Sequence, residues 1–143
     1  KITKTKCDIL FLEGWCCGSS EIPKKILHKN INNLEKIKDP KYQWRNFYNN
    51  KLKLEYKKLF KLFDELIFLK TSSFDNVFKW RLKQEKTNQS KNKKSKRMTS
   101  NEIKYFVQHY EKITKWMMKD LNKKAQIVIK FEKNHKISSL NFN

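Results

Sequence analysis

Glu13 closes a short apolar run, CDILFLEG at 7–14, and is followed by Gly14, one of two glycines in 143 residues. An apolar strand that ends in an acid is the Walker-B arrangement. The strand holds the carboxylate rigidly, and the carboxylate reaches the water shell of a magnesium ion or an attacking hydroxyl. Many strands of mixed α/β proteins end this way, and a carboxylate that caps a nearby helix is the plainer reading. A second constellation is cationic. Arg81 lies in KWRLKQE at 79–85, and Arg97 ends the polar run TNQSKNKKSKR at 87–97. Two of the three arginines therefore flank one basic loop. That is the composition of a lid that closes over a polyphosphate and offsets the charge built up in phosphoryl transfer. The alternative is a solvated basic helix face. Trp44, Arg45 and Asn49 fall at the start of a predicted helix, where backbone N–H groups suit a carboxylate substrate. They could equally be a hinge and a cap.

The usual partner of a Walker-B acid is a phosphate-cradling GxxxxGK[ST] loop. Gly14 and Gly18 are four apart, and Ser19 follows where Lys is required. Either the chain is no nucleotide kinase, or the loop lies upstream of residue 1. Cys16 and Cys17 read as small packing residues, with no histidine near in sequence to serve as a base. The third cysteine forms no CxxC pair and no zinc spacing, which indicates a reduced, cytoplasmic chain. His28, His109 and His135 show no metal-ligand spacing, and His109 falls on the polar side of its helix.

These residues need elements to position them. The runs 7–12 and 66–71, and AQIVIKFE at 125–132, read as short buried strands. Leu52, Tyr56, Leu59, Phe63 and Leu66 recur at three and four and predict an amphipathic helix over 45–66. Ser72 and Ser73 offer a cap for a helix over 74–86. Thr99 and Glu102 form a capping box ahead of a stripe of Ile103, Phe106, Tyr110, Ile113, Met117 and Leu121. The segment 19–43 holds both prolines and no period, and reads as a long loop with one helical turn. Residues 134–135 read as a turn before a short apolar tail. Strands alternating with helices predict an α/β fold with a mainly parallel sheet. The chain reads as one domain, 1–143, with a basic lid-type loop at 87–98.

The net charge of +20 points first to nucleic acid. Only three of the 34 basic residues are arginine, however, and the Lys, Asn and Ile bias is that of A/T-rich codons. Arginine is the residue that grips phosphate and guanine bidentately. A solvated lysine surface is the preferred reading, with no specific nucleic-acid partner. No apolar run approaches the length of about 18–20 residues that spans a membrane.

In order along the chain, DILFLEGWCCG, NNLE, WRNFYNNKLKLEY, VFKWRLKQEK, RMTSNEIKYFVQHYEKIT and AQIVIKFEKNHKI resemble the C-terminal two-thirds of the D-glycerate 3-kinase-like P-loop kinases. That family is similar in fold to uridine kinase, phosphoribulokinase and pantothenate kinase. The resemblance implies a three-layer fold and a kinase that uses ATP and Mg2+ to phosphorylate a small hydroxy acid. It implies that Glu13 is the acid beside the metal and that Gly14-Trp15 shape the substrate pocket. Arg81 and Arg97 would belong to the lid, and Asn134-His135 would lie near the nucleotide base. The Walker A strand and helix are absent, so the 143 residues alone are expected to bind ATP poorly, to be inactive, and to expose a sheet edge and apolar surface. A basic nucleic-acid module and a non-catalytic kinase-like scaffold are the competing readings. The sequence does not indicate an oligomeric state.

Overall fold

The computed structural model describes residues 6–91 and 98–143. Arg97 and most of the basic loop lie outside the described residues. The element order is α1 (Lys24–Leu27), α2 (Asn33–Lys38), α3 (Gln43–Lys51), a π-helical turn (Leu52–Tyr56), α4 (Lys57–Phe60), β1 (Ile67–Thr71), α5 (Phe74–Lys91), α6 (Ser100–Lys124), β2 (Ile127–Phe131) and β3 (Ile137–Phe142).

The two predicted runs rich in β-branched and apolar residues form β1 and β2, paired in parallel with Phe68 opposite Val128. The apolar tail is a third strand. It folds back through the turn at 133–135 and pairs antiparallel with β2. The sheet order is β1-β2-β3, so one of its two pairings is parallel, which corrects the expectation of a mainly parallel sheet.

Helix α6 starts at the predicted capping box: Thr99 Oγ1 accepts from the Glu102 N–H, and the Glu102 carboxylate accepts from the Thr99 N–H at 2.7 Å. Its buried stripe of Ile103, Val107, Ile113, Met117 and Leu121 lies at helical spacing. Ile113, Met117 and Leu121 pack with Phe68 and Val128 from the inner sheet face, and with Ile22, Leu27 and Leu52.

The outer sheet face is different. Side chains alternate along a strand, so Ile67, Ile127 and Phe142 form one row across it, and Leu69, Ile129 and Leu140 another. Leu69 is 62% exposed and Phe142 73%. Among the described residues, helices cover one face of the sheet only. The expected three-layer arrangement is two layers here.

Four other expectations change. Residues 7–12 form no strand; a strand exists through its ladder, and among the described residues β1 pairs with β2 alone. Leu10 and Phe11 stand 86% and 82% exposed. The helix predicted over 45–66 widens into the π turn and ends at Phe60, which leaves Phe63 and Leu66 outside it. The supposed loop at 19–43 carries α1 and α2 and buries Ile22, Leu27 and Leu34. Helix α5 runs to Lys91, five residues past the predicted end at 86, so the basic loop begins later.

Candidate functional site

Glu13 leads into a tight turn at 15–18 and is itself exposed. The Cys17 N–H donates to the Gly14 carbonyl at 3.3 Å. Gly18 has φ +77°, a backbone conformation that favours glycine, and a Cβ there would meet the end of the Leu66 side chain at 2.7 Å. The turn presents Trp15 to α6. Its indole Nε1–H donates to Thr114 Oγ1 at 2.8 Å, and its ring lies 5.0 Å from that of Tyr110. Burial, with Cys17 beside it, pushes the Cys16 thiol up to about 11, and burial raises Cys17 as well. Both are protonated at neutral pH, in accord with a packing role.

The first half of α6 gathers several of the predicted residues. Phe106 lies 5.3 Å from Tyr110, and the Arg81 guanidinium is 5.8 Å from the Phe106 ring. Arg81 also donates to Glu85 at 2.7 Å. Glu85 in turn accepts from the Met98 N–H, which ties α5 to the start of α6. A second row runs from Tyr105 to His109, 5.4 Å apart, with the Trp44 ring 5.7 Å from His109. His109 is thus half-buried between two aromatic rings, not free on a polar face; its Nδ1–H donates to the Phe106 carbonyl at 3.1 Å. Trp15, Trp44 and Arg81 all lean on the span of α6 between Phe106 and Thr114. Beside them Met98, Tyr105, Phe106 and His109 line an open depression of about 480 Å³. Sequence reading placed Phe106 and Tyr110 in the core and missed Tyr105 and His109. Aromatic residues four apart on one helix were the signal available.

Asn134 and His135 form a joint with α5. His135 has φ 65° and stacks on Trp80 with centroids 4.5 Å apart. The Trp80 indole N–H donates to the Lys133 carbonyl at 2.9 Å, and Asn134 Oδ1 accepts from the Lys136 N–H at 3.0 Å. The hairpin and the helix that carries Arg81 are therefore fixed to each other at the carboxyl end of β2. Asn76, also missed in sequence, braces the neighbouring turn after β1 by donating to Thr71 and Ser72; its Oδ1 has no hydrogen-bond partner among the described residues.

Arg45 and Asn49 spend their polar atoms on groups within the chain. Arg45 is fully buried. Its Nε donates to Asp39 at 2.9 Å, and its terminal nitrogens to Glu35 and to the carbonyls of Leu27, Glu35 and Asp39. Lys112, 3% exposed, donates to Glu35 at 3.3 Å and to the carbonyls of Ile26 and Lys29. Two cations and two carboxylates thus close on each other and lock 26–39 onto α3 and α6. Asn49 accepts from the Ile22 N–H and donates to the Ile22 carbonyl. The anion-binding expectation at this helix start is replaced by an internal clamp, because every polar end finds a partner within the chain. Burial alone would raise the Asp39 carboxyl. Hydrogen bonds from Arg45 and from the Trp44 N–H, with the charge of Arg45, hold it below its ordinary value. Burial lowers Lys112 against the pull of Glu35, and burial and Glu35 raise Tyr48.

These residues do not by themselves fit ATP or Mg2+. Glu13 is a single exposed carboxylate. Among the described residues no three His, Cys, Asp or Glu side chains cluster as metal ligands, and the sequence holds no GxxxxGK[ST] cradle. No helix among the described residues is long and apolar enough to cross a membrane.

No family model and no curated protein matches the sequence. Solved structures do match the fold. A D-glycerate 3-kinase from Cryptococcus neoformans var. grubii superposes with a TM-score of 0.74 at 19% identity, over 99% of this chain and 52% of that one. The YGR205w protein superposes with a TM-score of 0.57 at 22% identity, over 90% of this chain and 45% of that one. The chain spans about half the length of each, and the fold it shares with them is kinase-like.

Proposed function

We propose that this chain is the C-terminal part of an ATP-dependent kinase that transfers a phosphoryl group to the alcohol of a small hydroxy acid such as D-glycerate, in the cytoplasm. The observation that carries the reading is the gathering of Trp15, Trp44 and Arg81 on one span of α6, in a chain with the fold of a D-glycerate 3-kinase. In this reading Glu13 would hold Mg2+ through water once the phosphate loop is supplied, and Gly14, Trp15 and Trp44 would shape the acceptor pocket. Arg81 and Arg97 would supply positive charge to the phosphates, and Asn134 and His135 would lie near the nucleotide base. Arg45 and Asn49 position the pocket from behind and do not touch the substrate. ATP would supply the phosphoryl group, held by a phosphate loop from outside these 143 residues. The fragment alone would be inactive.

The test compares the 143-residue chain with a gene product that carries GxxxxGK[ST] ahead of it, in an assay of ATP-dependent D-glycerate phosphorylation. The longer protein is expected to be active, and Glu13→Gln to lower its kcat by about 100-fold or more. Activity in the 143-residue chain, or a parent gene with no such loop, overturns the reading. An unchanged Glu13→Gln rate would leave a scaffold role for that segment.

A further inference from the structure

A second concave surface lies at the other end of the sheet. Gly18 packs against Leu66, directly before β1, and Lys124 ends α6 directly before β2. Both mark the amino ends of the parallel strands, whereas the Trp80–His135 joint lies at the carboxyl end of β2. The groove between them measures about 670 Å³, within the size range of small-molecule sites.

Its two walls are built differently. One is a fixed aromatic wall. The Trp116 indole N–H donates to Ser20 Oγ at 3.3 Å, Ser20 donates to Asp120 at 2.6 Å, and Asp120 pairs with Lys124 at 2.8 Å. This relay sets the plane of the indole, which packs against the core, as does Phe60 from the facing wall. The other wall is the π-helical turn and α4. A π turn adds a residue to a helical turn and commonly marks a functional site. Leu52 at its start lines the groove, and so do Lys57 and Lys61 just after it. Both lysines are exposed, and neither has an ionic partner among the described residues. Glu21 also lines the groove and opposes an anion there.

We propose that this groove binds a small organic oxyanion with a flat apolar body. The body lies against Trp116 and Phe60, and the oxyanion lies between Lys57 and Lys61. The site shares no residue with the phosphoryl-transfer reading and stands or falls separately from it.

Phenyl phosphate is the probe, titrated into the 143-residue chain and followed by 1H–15N NMR with the Trp116 indole as reporter. Saturable shifts are expected at Trp116 and at 57–61. Phenol, which lacks the charge, and inorganic phosphate, which lacks the body, are each expected to bind more weakly. Lys57→Ala with Lys61→Ala should weaken phenyl phosphate roughly tenfold, from two partly exposed ion pairs. Glu21→Gln, which removes an opposing charge, should tighten it about threefold and so separates a site from a folding defect. The proposal is overturned if the shifts scatter over surface lysines without saturating, if phenol or inorganic phosphate binds as tightly, or if the lysine and Glu21 variants leave the affinity unchanged.

Discussion

Two regions of this molecule reverse the usual distribution of charge and apolar surface. Around Arg45, four ionised side chains are buried and satisfied: Arg45, Glu35, Asp39 and Lys112. On the outer sheet face and along 9–12, apolar side chains stand in the open: Ile9, Leu10 and Phe11, then Leu69, Leu140 and Phe142. A buried charge is tolerated only where its partners are close, and the Arg45 cluster finds all of them within these 143 residues. An apolar face as wide as this sheet is ordinarily covered by a second layer. The first region is complete in itself, and the second has the character of an interface. Apolar exposure, expected from the sequence, is present among the described residues.

The largest way to break this comparison is at its buried end. Arg45→Ala removes the cation from two carboxylates and is expected to cost about 3–5 kcal/mol in a urea unfolding titration. A loss below about 1 kcal/mol would mean that water reaches the cluster. A smaller effect follows from Asp39. Its carboxyl titrates lower in the folded chain than in the unfolded one, so its contribution is present above about pH 4 and is lost as the pH falls through the folded value. Asp39→Asn should cost about 1.5–3 kcal/mol at pH 7. The gap to the parent chain should narrow below pH 4, and a gap constant with pH would remove Asp39 from the acid response. The smallest effect belongs to the exposed end. Leu69→Thr should change the stability of this chain, read in the same urea titration, by no more than about 0.5 kcal/mol. A cost of several kcal/mol would show that the face is already covered.

The legible parts of the fold were those decided locally. Helix α6 announces itself through Thr99, Glu102 and its apolar stripe, and β1 and β2 through their runs of Ile, Val, Leu and Phe. The misread parts depend on distant partners. Residues 7–12 have the composition of a strand but pair with no neighbour among the described residues. The helices within 19–43 are held by Arg45 and by Lys112, which reaches Ile26 from 86 positions away. The π turn leaves the apolar spacing almost intact, and β3 is mostly exposed, so neither left a periodic signal. The candidate site divided in the same way. Trp15, Trp44 and Arg81 come to one helix. Arg45 drew attention as an anion ligand because a sequence shows its charge and not its carboxylate neighbours.

Among the described lysines, Lys112 alone is buried, with its amine committed to two carbonyls and Glu35. A pulse of an amine-reactive reagent would therefore tag the surface lysines quickly and Lys112 only when the clamp over 26–39 opens. Read peptide by peptide in a mass spectrometer, the modification rate of that one residue becomes a clock for local opening, in a chain whose many other lysines supply the internal standard.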